Sequence, residues 1–142
     1  MQVQRRDEPV AVVSIDEPVS LGDGVEALIA EAEGTTAVVT LAEAKRRNWP
    51  VDFTAAWLTI DVHTALDGVG LTAALSTALA DGGIACNILA GYFNDHLLVP
   101  IDQANDAIQI IEALALPAQL LRRDETNGSR PNDVEALVVR DR

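Results

Sequence analysis

Residues 56–63, "AWLTIDVH", alternate with period two: Leu58, Ile60 and Val62 point one way, Thr59, Asp61 and His63 the other. A segment of period 3.6 follows. Leu71, Ala74, Leu75, Ala78 and Leu79 form an i, i+3, i+4 stripe, so residues 68–81 are expected to be a helix with one face on a core. Gly82 or Gly83 supplies its left-handed cap. Residues 84–92 and 96–101 then read as two strands joined by the turn "FND". Ala104, Ala107, Ile108 and Ile111 form the inner stripe of a further helix, which Asp102 can cap. A half-buried strand, a helix, a hairpin and a helix, in that order, predict an α+β fold. It is a ferredoxin-like sandwich: an antiparallel sheet with helices on one face.

The first half is less regular. Residues 1–9 read as a loose tail. "VAVVSI" (Val10–Ile15) is a short, β-branched buried strand, and "SLGDG" is a loop. "VEALIAEAE" at 25–33 is ambiguous, because Ala, Leu and Glu favour helix while its length and flanking glycines favour a strand. "TTAVVT" is a strand. Thr40 and Glu43 form an expected capping box for a helix that ends before Pro50. The order repeats that of the second half, with the first helix reduced to the loop 16–24. Residues 117–142 fall outside the scheme; "RRDETNGSRPND" is polar and reads as disordered, and "VEALVVR" at 134–140 could add a strand or dock on a partner.

Charge and composition exclude several functions. Asp and Glu number 22 against 10 Lys and Arg, a net charge of −12, and Lys45 is the lone lysine. Such a surface repels phosphate backbones, so no nucleic-acid partner is expected. The acidity has two readings: ordinary composition of a GC-rich genome, or adaptation to high salt, where screening removes self-repulsion. No apolar run approaches the ~18 residues of a membrane span, and "MQVQRRDEPV" does not read as a signal peptide. A cytoplasmic, soluble protein with no membrane association is expected. Apolar residues make up 49% and aromatics 4% of the chain, which predicts a core of Ala, Val, Leu and Ile.

Little in the chain points to catalysis. Cys86 has no second cysteine to pair with and sits in an apolar strand, so it reads as a small core residue. His63 and His96 have Asp61 and Asp95 near them in sequence, but the spacing supplies no converging metal set. Gly68 and Gly70 lack the third glycine of a dinucleotide fingerprint. No nucleophile elbow, phosphate loop or paired-carboxylate constellation is present. No enzyme activity, metal or cofactor is therefore expected; a small enzyme is the remotest of the readings.

The segment "WLTIDVHTALDGVGLTAALSTALADGGIACNILAGYFNDHLLVP" resembles the ACT-domain family, in particular its small stand-alone branch. The resemblance rests on Val62 to Ala73, Gly83 to Asn87, and Ala90 to Pro100. It is dense over 57–113, weaker over 10–52 and absent from the tail. It implies two tandem ACT-like lobes, a degenerate one at 10–52 and a second at 53–116, followed by the polar extension 117–142. It also implies a strand at 27–31, against propensity.

ACT domains are mostly regulatory modules that bind amino acids beside the loop from the first strand to the first helix. By that resemblance, the glycines at the mouth of the 68–81 helix leave the backbone bare. Its free N–H groups can then hold a ligand carboxylate. Leu66, Asp67, Gly68, Val69, Gly70 and Leu71 are the candidates there. Asp95, at the turn where distant arginine-sensing relatives carry an acid, is the candidate for the ammonium group, and Asn87 for a further hydrogen bond. The site is expected to face the Asn94–Asp95 turn across an inter-lobe crevice. The alternatives for each are structural: turn shape for the glycines, ordinary turn chemistry for Asp95, a backbone edge for Asn87. The expected protein is a sensor of an amino-acid-like small molecule, a homodimer or higher homo-oligomer, whose output passes to a separate regulated protein. The alternative is an ACT-fold oligomerisation module that binds no ligand.

Overall fold

The computed structural model describes residues 1–62, 66 and 68–116. The elements run β1 (Gln2–Arg5), β2 (Val10–Ile15), β3 (Val25–Glu31), β4 (Gly34–Thr40), α1 (Leu41–Arg46), β5 (Phe53–Asp61), α2 (Leu71–Asp81), β6 (Asn87–Ala90), β7 (Asp95–Pro100), a 3-10 turn (Ile101–Gln103) and α3 (Ala104–Glu112). The strands form one seven-stranded antiparallel sheet in the order β3-β4-β2-β5-β7-β6, with β1 also paired to β5.

β5 is the hub. Phe53 to Ala55 pair with β2, Leu58 to Asp61 with β1, and residues 55–60 with β7 on the other side. Paired residues share a face, so the register sorts the side chains. Ala56, Leu58 and Ile60, with Leu97 and Val99, pack against Leu71, Leu75 and Leu79 of α2 and Ala104, Ala107 and Ile111 of α3. Ala11, Val13 and Ile15 pack with Val39 and with Ala44 of α1. Ala11 lies opposite Thr54, whose side chain shares a face with Ala56, so all these helices cover the same face. A third cluster, Val10, Val38, Ala55, Trp57 and Leu98, lies on the opposite face and contains no helix residue.

The α+β class, the antiparallel sheet and the one-sided helices follow the sequence reading. The expected joint burial of Leu58, Ile60, Val62, Leu71, Leu75 and Leu79 is observed, with Ile88 and Ile108 partly buried against them. Residues 25–31 are a strand: pairing with β4 along its length overrides helix propensity.

Four details differ from expectation. Gln2–Arg5 is not a loose tail; it pairs with β5 and places Met1 and Val3 against the core. It covers a stretch of β5 edge that would otherwise stand open. β6 begins at Asn87, not at 84, because the chain leaves α2 through Gly83 (φ +69°) and turns Ile84 into the core, its N–H donating to the Leu79 carbonyl at 2.9 Å. The capping box is half made. Thr40 Oγ1 accepts from the Glu43 N–H at 3.2 Å, but the Glu43 carboxylate turns to Arg46 and Arg47, and the Thr40 N–H goes to the Gly24 carbonyl. Asp102 does not cap α3; it lies in the 3-10 turn, and the N-cap is Gln103 without a side-chain bond. The expectations for residues 117–142 lie outside the described residues.

Candidate functional site

The start of α2 is uncapped. Its N-cap, Gly70, sits at φ +113°, ψ −21°, and makes no side-chain cap bond, in contrast to Thr40 at the start of α1. A side chain rarely adopts that φ, so glycine is required there by the backbone itself. The first helical hydrogen bond runs from the Ala74 N–H to the Gly70 carbonyl. The N–H groups of Leu71, Thr72 and Ala73 therefore precede the ladder, at the positive end of the helix dipole.

Facing this helix start is the β6–β7 turn. The Gly91 N–H donates to the Asn94 carbonyl at 3.1 Å, and a Cβ on Gly91 would lie 2.6 Å from that same oxygen. Only glycine allows so tight a closure. The tip is thus Tyr92 and Phe93, which pack edge to face with ring centroids 5.0 Å apart and stand 74% and 68% exposed. Between helix start and turn lies a cavity of about 80 Å³, with Val62, Leu66 and Leu71 on one side and Gly91, Phe93 and Asp95 on the other. Asp95 is half-buried, at the first position of β7.

Of the residues singled out from sequence, Leu66, Gly68, Leu71 and Asp95 line this cavity, and Gly70 sets the helix start beside it. Val69 is exposed and does not line it. Asp67 and His63 lie outside the described residues. Asn87 is not brought here. It lines a second, more open hollow of about 460 Å³ on the sheet face that carries no described helix, with Ile29, Phe53, Leu89 and Leu98. The described residues that line the cavity at the helix start all fall between Val62 and Asp95. Sequence reading missed Tyr92 and Phe93, which were assigned to a strand end and an ordinary turn. The available signal was composition: a chain with one Tyr and two Phe places two of these rings side by side at a hairpin tip.

The remaining reactive groups are quiet. Burial pushes the Cys86 thiol up to about 11, so it is a thiol and not a nucleophile near neutrality. No cluster of His, Cys, Asp and Glu suited to a metal occurs among the described residues. Nor, among them, is any helix long and apolar enough to cross a membrane. His96 accepts from the Trp57 indole on the sheet face without a described helix, where Arg6 stacks 4.3 Å above the Trp57 ring.

Residues 53–113 match the ACT domain family model. No curated protein matches the chain in sequence. Among solved structures, a protein of unknown function from Vibrio cholerae, described as a possible transport protein, is 30% identical with a TM-score of 0.68; the match covers 78% of this chain and 87% of that one. The ligand-free regulatory subunit of aspartate kinase from Thermus thermophilus shares the fold at 14% identity, TM-score 0.58, over 80% of this chain and 97% of that one. Aspartate kinase from Clostridium acetobutylicum does so at 13% identity, TM-score 0.54, over 80% of this chain and 34% of that one. The strand–loop–helix–hairpin–helix of residues 53–113, with its uncapped helix start against a hairpin turn, is an ACT domain.

Proposed function

We propose that this protein is a non-catalytic, cytoplasmic regulatory sensor that binds an amino acid between the start of α2 and the β6–β7 turn. One observation carries the reading: Leu71 and Thr72, at the uncapped start of α2, and Asp95, on the facing hairpin, line the same cavity. These are the two charges a zwitterion needs, an electropositive helix end for its carboxylate and an acid for its ammonium. Gly68, Gly70 and Gly91 keep the approach free of side chains. The ACT domain and the regulatory-subunit folds among its structural neighbours support a regulatory ligand-binding role. Binding then biases an equilibrium in a regulated protein or in self-association.

The element order supports a tandem architecture. β2, the loop 16–24, β3, β4 and α1 follow the order of β5, α2, β6, β7 and α3, with the loop in the place of α2. The 16–24 loop replaces the helix whose start forms the site in the second lobe, so the first lobe carries no equivalent site of its own.

A thermal-shift screen of the twenty amino acids tests the sensor reading. A saturable rise in melting temperature with one chemical group of amino acids is expected, of the size that mass action sets. No rise with any amino acid sinks it. The apolar hollow on the sheet face that carries no described helix, where Ile29 is 42% exposed beside Phe53 and Leu89, favours a second reading as an assembly module. Light scattering across a concentration series tests that reading: it requires a dimer or larger species that survives dilution.

A further inference from the structure

Resting on the amino-acid reading above, we propose that the ligand carries an uncharged, apolar side chain that lies across Tyr92 and Phe93. Size is the first argument. The cavity of about 80 Å³ falls well short of the ~300 Å³ at which ordinary small-molecule pockets begin. It has room for the charged head of an amino acid and not for the rest. Whatever hangs from the α-carbon projects out past the rim.

Rim chemistry is the second argument. Tyr92 and Phe93 stand 74% and 68% exposed on the turn, and Leu66, across the opening, 69%. The sheet cannot bury these rings, because the Gly91–Asn94 closure leaves them at the hairpin tip. Exposed apolar surface grouped around a cavity marks a binding surface more than scattered exposure does. Asp95 is the one charged residue among the described lining residues, and it is committed to the ammonium group. None of those described lining residues is basic, so they offer an acidic side chain no counter-charge. An aromatic face can hold a cation, yet Leu66, the large described side chain exposed across the opening, is aliphatic and desolvates a guanidinium or ammonium without pairing it. A leucine or phenylalanine side chain instead buries its own surface and that of both rings.

The experiment is calorimetric titration of the full chain with glycine, L-leucine, L-phenylalanine, L-arginine and L-glutamate, on wild type and on Phe93→Ser. L-leucine or L-phenylalanine should bind at least about tenfold more tightly than L-arginine, L-glutamate or glycine. Phe93→Ser should weaken the apolar ligand about tenfold and leave glycine, which does not reach the rim, unchanged. Tyr92→Ser repeats the test from the other ring. The proposal is overturned if L-arginine or L-glutamate binds as tightly as the apolar pair. It is overturned equally if the serine variants weaken glycine as much as leucine. Binding by charged amino acids alone leaves the sensor reading standing without this specificity, whereas binding by none of the five overturns the specificity, and the twenty-amino-acid screen then decides the sensor reading.

Discussion

The indole N–H of Trp57 donates to Nδ1 of His96 at 3.2 Å, with ring centroids 5.0 Å apart. Indole only donates, so Nδ1 must accept and the proton of the neutral ring sits on Nε2. Thr59 Oγ1 lies 3.0 Å from the same nitrogen. Protonating His96 would set two donors against each other. Burial, then the charge of Arg6, accordingly lower its pKa below the usual histidine range, with Asp95 opposing.

The sign of the pH effect follows. A histidine whose folded pKa is depressed stabilises the fold fully above its unfolded value of about 6.5, and that contribution is lost as pH falls through the folded value. Melting temperature should therefore drop from pH 7.5 to pH 5 in the wild type. In His96→Phe the drop should shrink, at a cost of about 1–3 kcal/mol at pH 7.5 for the unpaired indole N–H. An equal slope in both proteins would assign the pH dependence elsewhere.

Glu43 sets the opposite end of the sheet. Its carboxylate receives Arg46 Nε at 2.8 Å and Nη2 at 2.6 Å, and Arg47 Nε as well. Those hydrogen bonds, Arg46 first and Arg47 next, bring its pKa down to about 2; burial opposes them, and the charges of the two arginines add to them. Stability from this network is present above pH about 4.5 and is lost as pH falls toward 2. Glu43→Gln should melt at a lower temperature than wild type at pH 7 and at nearly the same temperature at pH 2. A constant gap at both pH values would refute the linkage.

The net charge of −12 on 142 residues makes a further prediction. Simple self-repulsion is largely screened once the Debye length falls to about 8 Å, near 0.15 M salt. If composition alone explains the acidity, melting temperature should climb up to roughly that concentration and then level off. A climb that continues to molar salt, read by calorimetry in sodium chloride, is the signature of saline adaptation.

Period made most of the fold legible. Leu58, Ile60 and Val62, then Leu71, Leu75 and Leu79, announce a strand and a helix that share a core, and they do share it. Where local chemistry and tertiary pairing disagree, sequence misleads. Gln2–Arg5 looks like a tail because four polar-rich residues carry no period, yet an open β5 edge recruits them. Glu43 fits a capping box, but two arginines one turn on outcompete a backbone N–H that Gly24 already satisfies. Around the cavity, the glycines and Asp95 stood out by type. Tyr92 and Phe93 did not, because only the closure at Gly91 turns them into a rim.

The candidate site has its own test. Gly70 is a poor probe, because at φ +113° any side chain strains the backbone, and Gly70→Ala should cost more than about 1 kcal/mol of stability whether or not a ligand binds. Asp95 is the better one. Its backbone pairs with Ile60 and Ala90 in the sheet, so Asp95→Asn keeps the strand and the side-chain shape while removing the charge. A hydrogen bond to a charged group contributes about 1.5–3 kcal/mol, so L-leucine affinity should fall roughly ten- to a hundredfold. The melting temperature without ligand should stay within about 2 °C of wild type, because the exchange is isosteric and Asp95 is only half-buried. The half-charged case is informative as well. A decarboxylated analogue such as isoamylamine should lose affinity in wild type through the vacated helix start, and Asp95→Asn should weaken that amine further. An amine that binds wild type as well as L-leucine would place the recognition on Asp95 alone and leave the bare start of α2 as backbone geometry.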